Sequence, residues 1–205
     1  TGIFAVIVAQ MAAVTNDAGQ IVGLTHLGQT LFGSPLKWVV MLAPLGLVFF
    51  LSARIHAIKQ STAQGVFWFY AALMGVSLAT VLLAFTGASV ARVFFITAGT
   101  FAGMSLWGYT TRKDLSGFGS FLMMGLIGII IASIVNIFIG SSALQFGISV
   151  IGVLVFVGLT AYDTQAIKNE YAEHLDEDTK GKLAISGALR LYLDFINLFI
   201  MLLHL

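Results

Sequence analysis

The chain has 205 residues, 59% hydrophobic and only 9% charged, where a soluble domain carries about 25% charge, and its mean hydropathy is +0.98. This is the composition of a protein built for lipid. A net charge of +1 offers no basic surface for nucleic acid, zero cysteines remove disulfides, thiolate nucleophiles and cysteine metal sites, and neither a phosphate-cradling glycine loop nor an H-E-x-x-H zinc motif occurs.

A helix needs about 20 apolar residues to cross roughly 30 Å of hydrocarbon. The first apolar stretch, Thr1 to Val14, would rise only about 21 Å as a helix. It reads as the end of a span that begins before the sequence given, which opens on Thr1 without a basic leader. A polar connection from Thr15 to Pro35 follows. Six full-length apolar segments then run approximately from Leu36 to Ala53, Val66 to Phe85, Val90 to Tyr109, Phe118 to Ile139, Phe146 to Ala166 and Leu183 to Leu205. The expected fold is all-α, a polytopic bundle of seven spans forming one integral membrane domain over residues 1–205. Pro44 is expected to kink the second span or free a carbonyl, and spacings such as Gly99 to Gly103 to seat helix pairs.

Lysine and arginine set the orientation. Arg54, Lys59, Arg112, Lys113, Lys168, Lys180, Lys182 and Arg190 fall on one face, against Lys37 and Arg92 on the other. The eight-residue face is expected to be cytoplasmic.

Seven of the nine acids, Asp17, Asp114, Glu170, Glu173, Asp176, Glu177 and Asp178, read as lying in watered connections. Asp163 and Asp194 do not. Asp163 stands in GLTAYDTQ near the cytoplasmic end of span six, and Asp194 stands inside LYLDFINLF, midway along span seven. A carboxylate in hydrocarbon must face the bundle interior, be neutralised or find a partner. The two could pair through one shared proton, which would bring their titration within reach of physiological pH and make a pH sensor without histidine. The alternative is structural: Asp163 meets water at the end of its span, and threonine, Asn197 or backbone groups hold Asp194.

Arg54, in FFLSARIHAIKQ, is the basic candidate. Its guanidinium could bridge carboxylates bidentately, or it could snorkel as one more positive-inside residue. His26, His56, His174 and His204 do not gather into a metal-ligand set. An intramembrane aspartyl protease would use the same two acids to activate water, but no glycine follows either aspartate to let a substrate backbone approach. The expectation is that the protein is not an enzyme and holds no permanent cofactor.

The endings GLTAYDTQAIK (158–168) and GALRLYLDFINLFIMLLHL (187–205), with the arginine of LSARI (51–55), closely resemble the Bax inhibitor-1 family of membrane proteins. The resemblance extends over essentially the whole chain, short of most of span one. It implies a bacterial inner-membrane protein of seven helices with the last one surrounded by the others, and a calcium leak that depends on pH. Asp163 and Asp194 would then be the sensor aspartates and transient calcium contacts, and Arg54 the arginine that engages them in a closed state. The family also implies a rival role, in which a non-conducting regulator binds a membrane protease or other membrane proteins.

Overall fold

The computed structural model describes residues 1–17, 20–55, 57–171 and 176–205. In chain order these form α1 (Gly2–Ala12), an antiparallel hairpin of β1 (Ala13–Thr15) and β2 (Ile21–Leu24), one turn α2 (His26–Gly28) and a π-helical turn Gln29–Gly33. Six long helices follow: α3 (Leu36–Arg54), α4 (Gln60–Ala84), α5 (Gly87–Thr110), α6 (Ser116–Ile139), α7 (Ser142–Glu170) and α8 (Glu177–Leu203). All six are long and apolar enough to cross a membrane. The chain is an integral, multi-pass, all-α membrane protein.

The segment expected as span one is only 11 residues of helix, about 16 Å, because Ala13 turns extended and β1 begins there. Val14 and Thr15 suit a strand and Asn16 a turn, with Asn16 Oδ1 accepting from the Gln20 amide at 2.8 Å. The described residues of this polar connection thus carry a hairpin and short helical turns. Thr25 links α1 to α2, donating through Oγ1 to the Met11 carbonyl at 2.7 Å and accepting from the Gly28 amide at 3.2 Å.

Two compact units divide the described chain, Thr1–Val90 and Ala91–Leu205. In the first, α4 packs against α1 and α3. A Cβ at Gly75 would fall 2.5 Å from the Thr1 carbonyl oxygen and 2.6 Å from Phe4 Cβ, so only glycine lets α1 lie so close to α4. α3 continues as one helix through the buried Pro44.

In the second unit, α7 packs against both α6 and α8. Leu122 and Ile129 of α6, Val155, Phe156 and Leu159 of α7, and Leu198 of α8 share one core. Over their membrane-length stretches 39% of α7 and 28% of α8 are buried, against 6% and 11% for α5 and α6. The interior of this unit is thus the α7–α8 pair. Since lipid tails are as apolar as leucine, close packing rather than water exclusion must hold such helices together. Gly108 shows how: a Cβ there would sit 2.3 Å from the Ala161 carbonyl oxygen, so α5 touches α7 backbone to backbone. Gly99 and Gly103 seat no helix among the described residues, since a Cβ on either would meet nothing within 4 Å.

Gly140 ends α6 in the left-handed region at φ 66°, and the turn into α7 satisfies itself. Asn136 Oδ1 accepts from the Ser141 amide at 3.0 Å, and Ser141 Oγ accepts from the Leu144 amide at 3.2 Å. At the other end, α7 runs on to Glu170, while Glu177 and Asp178 form the first turn of α8 behind the cap Asp176. These three glutamate and aspartate positions, assigned from sequence to the connection, are helical, and acids in a first turn suit the positive end of the helix dipole.

Candidate functional site

α7 and α8 lie antiparallel: a Cβ at Gly187 would meet Ile167, and one at Gly152 would meet Met201. Asp163 and Asp194 fall between these two contacts, near enough for the charge of each to act on the other. Asp194 is 4% exposed, and no amine, amide or hydroxyl donor among the described residues reaches its Oδ2. Asn197, the neighbour that could have held it, donates instead to the Leu193 carbonyl at 2.8 Å. The hydroxyls of Thr160 and Thr164 are likewise spent on carbonyls of their own helix, each at 2.7 Å. Asp163 therefore matters to Asp194 more than any neutral group does.

The cation beside the pair is Arg190, one helical turn before Asp194 on α8. Its Nη1 lies 4.0 Å from Asp163 Oδ1, and its Nη2 donates to Glu170 Oε2 at the end of α7. From sequence, Arg190 is a basic residue of the cytoplasmic face that lies within the last apolar segment, and Glu170 is one of the watered acids. Their spacing held the signal: Arg190 and Asp194 are four apart, Asp163 and Glu170 seven apart, so each pair shares a helix face. Arg54, the basic residue singled out from sequence, is the exposed last residue of α3 and belongs to the first unit.

Gln165, two residues beyond Asp163, pins the connection between α5 and α6. Its Oε1 accepts from the Leu115 amide and its Nε2 donates to the Lys113 carbonyl, both at 2.8 Å. Lys168 donates to the Tyr109 carbonyl at 2.8 Å and sits over the Tyr109 ring. Between these pins and Glu170 is a cavity of about 250 Å³ lined by Ser116, Tyr162, Gln165, Ala166, Asn169 and Glu170. Among the described residues, no three or more of His, Asp and Glu gather as a metal-ligand set. His26 opens α2 and His204 caps α8, while His56 and His174 lie outside the described residues.

Comparison with known proteins assigns the chain. Residues 1–205 match the family described as inhibitor of apoptosis-promoting Bax1. The chain belongs to the Bax inhibitor-1 family. It is 46% identical to the uncharacterized protein RP147 of Rickettsia prowazekii over 201 residues, covering 98% of this chain and 83% of that protein. It is 50% identical over 167 residues to the inner membrane protein YbhL of Escherichia coli, covering 80% of this chain and 71% of YbhL. An uncharacterized Caulobacter vibrioides protein is 49% identical over 184 residues, covering 89% of this chain and 70% of its own length. All three relatives are bacterial proteins.

Proposed function

We propose that this Bax inhibitor-1 protein carries a pH-dependent calcium leak across a bacterial inner membrane, gated by the Asp163–Asp194 pair. The observation that carries the reading is the placement of two acids on neighbouring apolar helices, one of them 4% exposed and the other 4.0 Å from an arginine. A proton held between carboxyls in hydrocarbon is a titratable contact, and its loss leaves two like charges side by side. Calcium is the transported ion rather than a resident one. Two carboxylates are hard oxygen ligands, yet they are far short of the six to eight oxygens of a tight calcium site, and weak contact is what release requires. The proposal treats residues 1–205 as one integral membrane domain of seven helices with the last one central, and Arg54 as the arginine that holds the pair in the closed state. The inner membrane follows from the location in the name of YbhL.

The test is calcium flux into proteoliposomes from about pH 5 to 8, the range over which paired carboxyls can report. Wild-type vesicles should leak in a pH-dependent manner. Asp163→Asn and Asp194→Asn should each flatten that dependence, and the double variant should add less than the sum because the two groups act as one. Arg54→Ala should raise the leak at the pH where wild type is closed. Vesicles that pass no calcium at any pH would overturn the conducting reading in favour of a regulator of membrane proteins.

A further inference from the structure

We propose that Arg190 is a charge-selectivity determinant of the passage at the aspartate pair, a tethered cation that disfavours divalent ions more than monovalent ones. The inference rests on the conducting reading and adds a residue to it. Any ion that touches the Asp163 carboxylate comes close to the Arg190 guanidinium, whose Nη1 is 4.0 Å from Asp163 Oδ1. The guanidinium is a delocalised cation that meets carboxylates in a fixed planar geometry. Coulomb repulsion is proportional to the charge of the approaching ion, so a divalent ion is repelled twice as strongly as a monovalent one at the same place.

Pairing and packing hold the charge there. Arg190 is 31% exposed at the side chain and paired with Glu170, whose side chain is 41% exposed. Its Nε is buried with no acceptor among the described residues, so two carboxylates and packing fix the side chain, rather than a full set of hydrogen bonds. Lys168, the other cation near this end of α7, is committed to Tyr109. Glu170 partly offsets the field of Arg190, so neutralising the one or the other should move selectivity in opposite directions. That opposition separates a charge effect from simple loosening of the α7–α8 contact, which would raise the flux of every ion together.

The experiment measures calcium and potassium flux in the same proteoliposomes, at one fixed pH where wild type conducts, and reads the ratio. Arg190→Gln should raise the calcium-to-potassium ratio by about three- to tenfold, the differential effect of removing one unit charge about 4 Å from the ion under water-like screening. Arg190→Lys should stay near the wild-type ratio, and Glu170→Gln should lower it. Ratios that do not move, or that move the same way in Arg190→Gln and Glu170→Gln, overturn the role of Arg190 while the leak stands. Wild-type vesicles that pass neither ion overturn it together with the conducting reading. If Arg190→Gln fails to fold, Glu170→Gln at the exposed helix end still decides the sign.

Discussion

At Gln165 a single amide does two jobs inside the motif that carries Asp163, accepting from Leu115 and donating to Lys113. Replacing it with leucine would keep its volume and strand a buried backbone amide, which costs about 1–3 kcal/mol. Gln165→Leu is therefore expected to lower the melting temperature in detergent and to speed hydrogen exchange at the Leu115 amide, with exchange in the middle of α6 unchanged. An unaltered Leu115 amide would show that water replaces the glutamine. The acids themselves were legible from sequence because a charge stands out in an apolar run. Arg190 and Glu170 were not, since their meeting depends on where α7 ends. Helix continuing past Lys168 to Glu170 brings that carboxylate onto the face of Asp163, and no composition rule marks the end of a helix in a polar stretch.

Among the helices, contact is decided by small residues at particular levels. Gly108→Ala puts a Cβ 2.3 Å from a backbone oxygen of α7, so α5 must shift, at a cost of about 1–3 kcal/mol for overpacking. Gly99→Ala, nine residues earlier on the same helix, meets nothing within 4 Å and should be neutral or slightly stabilising through helix propensity. Thermal unfolding of the two variants in one detergent tests the pair, and equal behaviour would remove Gly108 from the α5–α7 contact. The spacing Gly99 to Gly103 looks like a better seat on paper, yet only the partner backbone decides which glycine is used. At the start of α8, Asp176 accepts from the Thr179 amide and hydroxyl at 2.9 and 2.7 Å, which holds its carboxyl below the usual 3.8. A depressed carboxyl contributes stability above its unfolded pKa and loses it as pH falls through the lower folded value. The first turn of α8 should thus fray only below about pH 4. Exchange at the Thr179 amide reports it, and Asp176→Ala should show the same fraying at neutral pH while Asp176→Ser does not.

For the whole molecule, basic residues predict the sidedness. The chain has no cysteine, so single cysteines can be placed at will. Positions 113 and 140, in the connections at opposite ends of α6, should label from opposite sides of intact membranes. Labelling of both from one side would overturn the layout. The number and order of long helices could be read from hydropathy, because bilayer thickness fixes their length. The hairpin after α1 could not, since its short strands are set by local turn chemistry and by the hold of Thr25 on Met11. The contact of Asp194 with Asp163 also gives the chain a direction in time. On its own, an aspartate at the centre of a membrane helix costs about 2.5–3.5 kcal/mol to insert. Because α7 is synthesised before α8, the last helix leaves the ribosome with its polar partner already in place. A chain lacking α8 would keep Asp163 without that partner, and would carry the cost of an uncompensated acid in its apolar helix.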